Sequence, residues 1–247
     1  MTDYGPETYG DVTAEHYDEW VSASVPERET LAAADFLADL VSDGTALELG
    51  VGTGRVALPL VDRGVRVEGV EGSQKMINKL QAKQGGQDLR VYNSDLTDLD
   101  LPARYRVVFS ALNTIFCLPG QEEQLQCLQS AARVLEPGGV FVSEAIVPDV
   151  ARFDRGQRAN VSHIGSDEVR LDVSRRDPLT EVVTSSHIVF SEQGVRLHTV
   201  HNRPIGPGEH DLLCRLAGLR LRDRFGGWFK EPFTAASTKH ISVYTLA

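Results

Sequence analysis

Gly50, Gly52 and Gly54 sit at alternate positions just after a short apolar run, Ala46 to Leu49, and just before a helical pattern. Glycines in such a turn let the backbone approach a ligand closely, and the start of the following helix offers unpaired N–H groups. Glu48 stands immediately ahead of the turn. A second apolar run, Val65 to Val70, ends in Glu71. A carboxylate about twenty residues past a glycine turn is placed to accept both hydroxyls of a ribose. A third run, Leu89 to Tyr92, leads into Ser94-Asp95, and Asp95 suits an adenine amino group. A glycine turn alone occurs in nucleotide binders of several kinds. Gly-rich turn, Glu and Asp at three successive strand ends point to a nucleoside at one edge of an open α/β sheet.

The elements that must position these residues follow in order. Ser24-Val-Pro-Glu27 reads as a capping box that opens a helix to Val41, stopped by Asp43-Gly44. Arg55 to Arg63 is expected as a helix, with Pro59 tolerated near its first turn. Ser73 is the expected cap of the next helix, which runs to Lys83. Arg106 to Ser110 reads as a fourth strand that opens into residues 111–119 at the same edge, where Asn113 and Phe116 are candidates to touch a ligand. A helix from Gln121 to Leu135, a Pro137-Gly-Gly stop and a fifth strand, Val140 to Ala145, complete this part. The period then changes. Ile146 to Ile205 reads as an antiparallel β insert, with strict alternation over Val169 to Val173, a turn at Asp177-Pro178, and two further strands, Glu181 to Phe190 and Val195 to His201. A helix from Glu209 to Ala217, a sixth strand, Leu219 to Phe225, an aromatic loop, Gly226 to Phe233, and a last strand, Ile241 to Leu246, close the chain.

Taken together, Glu48-Leu-Gly-Val-Gly-Thr-Gly54, Glu71-Gly-Ser-x-x-Met76, Asp95-Leu96 and Arg133-Val-Leu-Glu-Pro-Gly-Gly-Val140 resemble the signature of class I S-adenosylmethionine-dependent methyltransferases. A dinucleotide fold would need Gly-x-Gly-x-x-Gly, which this turn lacks. The resemblance spans nearly the whole chain. It implies an α/β, Rossmann-like, seven-stranded, mostly parallel sheet whose last strand is antiparallel and lies between the fifth and sixth. It implies S-adenosylmethionine as donor and S-adenosylhomocysteine as product. The donor-binding set it implies is Tyr17, Glu48, Gly50, Gly52, Gly54, Glu71, Gly72, Met76, Asp95, Leu96 and Ala111. Tyr17-Asp18 matches a Tyr-Asp pair on an N-terminal helix that covers the donor, and a tyrosine face beside a sulfonium gains about 0.5–2 kcal/mol. Residues 1–43 are therefore expected to form cover helices.

The chain has 247 residues, enough for one α/β domain with an insert, and 41% of them are apolar. Its formal net charge of −10 argues against a nucleic-acid acceptor, because phosphate contacts dominate such binding. Arg152, Arg155 and Arg158 are the nearest approach to a basic patch and read as a solvated face. No run of about 20 apolar residues and no basic-then-apolar leader is present, and Cys117, Cys127 and Cys214 show no metal spacing. A cytoplasmic protein with reduced thiols is expected, forming a homodimer if the insert packs on another subunit. Asn/Asp-Pro-Pro-Tyr/Phe, the motif of nucleobase and amide methylases, is missing after the fourth strand.

The acceptor is read as a small molecule of specialised metabolism. Aromatic density in the cover and the C-terminal loop, with Trp20, Phe116, Trp228 and Phe229 as acceptor contacts and Tyr4 and Tyr9 nearby, favours a phenol or indole ring. The alternative is the nitrogen of a nucleotide-linked amino sugar, and a third reading is a protein that holds the donor without catalysis. An antiparallel last strand enters the sheet at the ligand edge, which would bring His240 to the pocket. Its imidazole is then the expected general base.

Overall fold

The computed structural model describes Gly5 and residues 7–247. Tyr4, named above among the cover aromatics, lies outside the described residues. The helices are α1 (Thr8–Thr13), α2 (Tyr17–Ser24), α3 (Glu27–Val41), α4 (Ala57–Asp62), α5 (Gln74–Gln81), α6 (Gln121–Val134) and α7 (Pro207–Leu216). The main sheet contains β1 (Thr45–Leu49), β2 (Arg66–Glu71), β3 (Arg90–Asn93), β4 (Tyr105–Ser110) and β5 (Leu135–Ile146). The insert supplies β6 (Gln157–Ile164), β7 (Glu168–Arg176), β8 (Val183–Ser191) and β9 (Gly194–Asn202), and the chain ends with β10 (Leu219–Phe225) and β11 (Lys239–Leu246).

The seven-stranded sheet has the order β10-β11-β5-β4-β1-β2-β3. β11 is antiparallel to both neighbours, and the pairs among the first five strands are parallel. Strands covered on both faces must be apolar throughout. Ala46, Leu47, Leu49, Val107, Val108, Phe109, Val142 and Val243 are accordingly buried. One face packs on α3 and α4 through Phe36, Leu37 and Leu60, and the other on α6 and α7 through Leu128 and Leu213. α3 is thus a layer helix of the core, and the cover is restricted to α1 and α2. Pro26 stands at the N-cap of α3, which has no side-chain cap bond, so the capping box at Ser24 does not form. Ser73 does cap α5, its Oγ accepting the Met76 N–H at 3.3 Å.

The insert is a separate four-stranded antiparallel sheet, β6-β7-β8-β9. Its first strand, β6, was not expected from sequence: Gln157 to Ile164 is mostly polar and solvent-exposed, so it carries little periodic signal. The insert is tied back where it ends. Arg203 is buried, donates to Gln124 Oε1 of α6 at 2.7 Å, and its N–H bonds the Phe116 carbonyl at 2.7 Å. Among the described residues no helix is long and apolar enough to cross a membrane.

Candidate functional site

The ends of β1, β2 and β3 and the segment after β4 surround a cavity of about 290 Å³. Gly50, Gly52, Glu71, Gly72, Met76, Asp95 and Leu96 line it, and Tyr9, Gly10 and Tyr17 of the cover close it. The glycine turn is anchored by the Gly50 and Val51 N–H groups, which both bond the Val70 carbonyl. Gly50 and Gly52 have φ of 68° and 54°, the region that favours glycine. A Cβ on Gly50 would meet Thr114 Cγ2 at 2.6 Å, whereas one on Gly52 would point into open space with Tyr17 at 3.9 Å. Gly52 is therefore the position where backbone faces the cavity.

Glu71 is buried, and its two carboxylate oxygens accept N–H bonds from Gly52 and Ser73, each at 2.9 Å. Burial raises its pKa against these backbone bonds. Asp95 turns its Oδ1 to the Thr97 N–H at 2.8 Å, an arrangement that stiffens the strand end it sits on. Tyr17 borders the cavity while its neighbour Asp18 accepts from Thr53 Oγ1 at 2.6 Å and pairs with Lys83 at 2.9 Å, fixing α2 over the glycine turn. Burial of its hydroxyl raises the Tyr17 pKa.

Three of the expected donor residues stand behind the cavity rather than on it. Gly54 packs against Leu58 and Leu80, where a Cβ would come within 2.4 Å of Leu80. Ala111 accepts from Thr114 through its carbonyl. Glu48 is buried with Oε2 unpartnered, and burial pushes its pKa up to about 8 although Arg55 opposes this. A glycine with free space above it and the enclosed Glu71 carboxylate, both on the cavity wall, fit a donor that carries ribose hydroxyls.

A second, larger cavity of about 1210 Å³ lies alongside, between the insert and the sheet edge. Tyr9, Leu112 and Cys117 line both cavities. Leu112 and Asn113 form the partition, and both take left-handed backbone, with φ of 50° and 65°. Such strain costs on the order of 1–3 kcal/mol per residue and persists only where surroundings enforce it. Glu144 enforces it here: its Oε2 accepts the Leu112 N–H at 2.9 Å and its carbonyl the Asn113 N–H at 3.3 Å. Asn113 Oδ1 is itself held by the Ile146 N–H at 2.7 Å. Asn113 and Phe116 both line this second cavity, with Phe116 buried against the core. Charged side chains on the wall are Arg152, Arg158, Arg176 and Lys239, with Asp149, Glu181 and Glu209, set among apolar residues such as Ile146, Val150 and Phe153. Arg152 and Arg158 line this cavity, while Arg152 and Arg155 are also solvent-exposed, as expected of a solvated face.

The remaining expectations are corrected by the structure. His240 is fully buried and lines neither cavity. It stands on the face of β11 that packs under α7, its ring 5.6 Å from that of His210 and its Nδ1 2.8 Å from Ser242 Oγ. Burial holds its pKa down to about 4. Its neighbour Lys239, on the other face, lines the second cavity. Trp228 is a core residue whose Nε1 donates to Glu144 Oε1 at 2.9 Å, and Phe229 is 58% exposed and lines neither cavity. Trp20 packs on His187 and His198 of the insert. Cys117, Leu112, Arg176 and Lys239 were not anticipated, and only Asn113, a residue that tolerates left-handed backbone, marked the partition in sequence.

A glycine turn, a buried Glu and an Asp at successive parallel strand ends define an α/β enzyme that takes a nucleoside-bearing donor. Residues 46–139 match the methyltransferase domain model. The chain is 30% identical over 245 residues to the cypemycin N-terminal methyltransferase of a Streptomyces species, covering 96% of this chain and 97% of that one. It superposes on the CcbJ methyltransferase of Streptomyces caelestis with a TM-score of 0.92 at 42% identity, over 99% and 100% of the two chains. The sugar N-methyltransferase KedS8 of a Streptoalloteichus species shares the fold, with a TM-score of 0.68 at 19% identity over 98% of each chain. The chain belongs to the S-adenosylmethionine-dependent methyltransferases, and S-adenosylmethionine is its methyl donor.

Proposed function

We propose that this enzyme methylates an amine nitrogen on a polar small molecule of natural-product biosynthesis, held in the cavity beneath the insert. One observation carries this reading: the cavity that adjoins the donor pocket sets Asp149, Glu181 and Glu209 and four cationic side chains into an otherwise largely apolar lining. Of the aromatics that favoured a ring acceptor, Trp228 lies in the core, Trp20 against the insert and Phe229 at the surface, which leaves Tyr9 and the buried Phe116 at the cavity. The relative named for an N-terminus and the fold relative named for a sugar nitrogen agree with an amine.

When bound, S-adenosylmethionine supplies a methyl group already activated on a sulfonium. Glu71 and Asp95 are suited to its ribose and adenine, and Gly52 to close backbone approach. The Leu112–Asn113 partition orients the acceptor against the donor, and such alignment can supply about 7–11 kcal/mol of barrier lowering. Cys117 beside the junction stays protonated, because burial pushes its thiol up to about 12. Burial likewise keeps the Tyr17 phenol protonated. The acceptor therefore reacts as the free amine, and the pH dependence of turnover should follow the acceptor's own amine pKa. Labelled donor offered to panels of amines, phenols and indoles tests the reading. Transfer to amines is expected, and turnover confined to phenols or indoles would overturn it.

The insert's outer face is suited to a second copy of the chain. Val161, Ile164, Leu171, Phe190, Val195 and Leu197 fall on it by strand alternation, and Ile164 and Leu197 are 77% and 66% exposed. A largely apolar face is complementary to itself across a two-fold axis. Sedimentation should report a dimer that Leu197→Glu dissociates, and a wild-type monomer would exclude it.

A further inference from the structure

The cover helices meet the insert at a contact that belongs to neither cavity. The Trp20 ring lies 4.7 Å from that of His198 and 5.6 Å from that of His187, with tilted planes. Around it, Arg170 of β7 donates to Glu19 Oε1 at 2.7 Å, and Arg196 of β9 reaches His16 Nε2 at 3.4 Å. His187 is itself held by Asp172 at 2.6 Å. The opposite side of the same helices is tied to α5 and the glycine turn. Asp11 accepts from Ser73 Oγ at 2.6 Å, the Glu15 carbonyl from Lys79 at 2.8 Å, and Asp18 from Thr53 and Lys83. Between the two attachments stand Tyr9, Gly10 and Tyr17, which wall the donor pocket.

α1 and α2 have 6 and 8 residues, and α2 buries no residue fully. Helices this short do not persist in water unaided. Their position must come from what they touch at each side, and on the insert side Trp20 of α2 makes ring contacts with two histidines. We propose that Trp20 is a positioning residue for the methyl donor: clasped by His187 and His198, it lets the insert hold the cover, and with it Tyr17, closed over the donor pocket. The insert then serves both substrates, walling the acceptor cavity with one part of its inner face and latching the donor cover with another. The proposal rests on the assignment of the donor to the cavity at the glycine turn.

The test is calorimetric affinity for S-adenosylmethionine and S-adenosylhomocysteine, which needs no acceptor. Trp20→Ala and His198→Ala should each weaken binding about tenfold, in the range that an aromatic pair and its packing contribute. The double variant should be no worse than about the poorer single one, since both break the same aromatic pair. Trp20→Phe should recover most of the affinity. Thermal stability without donor should be nearly unchanged in all of these variants, which a general structural role would not allow. Affinities within twofold of wild type in Trp20→Ala and His198→Ala, or effects that simply add, would overturn the proposal. Should Trp20→Ala fail to fold, His198→Ala and Trp20→Phe decide on the same criterion. Gly52→Val is the companion control. If it binds donor normally, the donor pocket itself is wrong and the proposal falls with it; if it loses binding while Trp20→Ala does not, only the latch is rejected.

Discussion

The donor pocket and the acceptor cavity share Tyr9, Leu112 and Cys117, yet they are built in opposite ways. The donor pocket's floor comes from backbone turns at the ends of three consecutive strands, all within residues 50–97. The acceptor cavity is assembled from side chains brought together from the post-β4 segment, the insert, the start of α7 and the approach to β11. A backbone-made pocket has few ways to vary and fits one invariant donor. A wall assembled from separate side chains can be re-cut one residue at a time, which suits a fold that serves many acceptors.

If the donor side is made of backbone, its largest vulnerability is a backbone one. Gly52→Val puts a β-branched side chain at φ 54° and fills the space in front of Tyr17. We expect donor affinity to fall by roughly a hundredfold or more in calorimetry, from strain and occlusion together. Near-normal binding would detach the glycine turn from the donor.

Removal of a side chain should cost less. Glu71→Ala is expected to weaken donor binding by about 1–3 kcal/mol, the penalty of leaving buried donors without a charged acceptor. Because Glu71 also holds the N–H groups of Gly52 and Ser73, Glu71→Gln, which keeps one acceptor oxygen, should fall between wild type and Ala. Equal affinity in all three forms would remove Glu71 from the site.

On the acceptor side the expected effect is smaller and of a different kind. Arg158→Gln should leave donor affinity within about twofold while raising the KM of an amine acceptor about tenfold, as a charge-assisted hydrogen bond is removed. A change in donor affinity with KM unmoved would erase the distinction between the two cavities.

The same contrast explains what the sequence disclosed. The residues that line the first cavity were legible because turn, Glu and Asp sit at fixed offsets from strands with clear apolar runs. The antiparallel last strand between the fifth and sixth was implied by the family resemblance, and the structure has it. The acceptor wall was illegible because Arg176 and Lys239 reach it only through long-range packing. Trp20, Trp228 and Phe229 were assigned to the acceptor by residue type, a criterion that does not tell a pocket from a core. His240 shows how narrow the margin is. The edge was right, since β11 enters beside Ile146, but strand side chains alternate, and one residue decides between pocket and core. Lys239 took the face given to His240.

That displacement has a measurable consequence at acid pH. His210 and His240 are both fully buried, and burial holds their pKa values down to about 3 and about 4. Unfolded histidines bind protons below about pH 6.5, whereas these two do not until the pH is far lower, so folding stability is lost as pH falls through that window. The slope approaches about 1.4 kcal/mol per pH unit for each histidine. Glu48, raised to about 8, has the opposite sign: its contribution is present below the ordinary carboxyl range and is lost as pH rises toward 8. A comparison of wild type with His210→Leu cancels Glu48 and isolates the histidine. Beyond any offset at pH 7, the variant should gain about 1 kcal/mol on wild type by pH 5.5 in denaturant titrations, with donor affinity unchanged. Parallel stability curves would mean that the pair is not buried neutral. Altered donor affinity or acceptor KM in the variant would return this face of β11 to the active site, and the division between the two faces would fail.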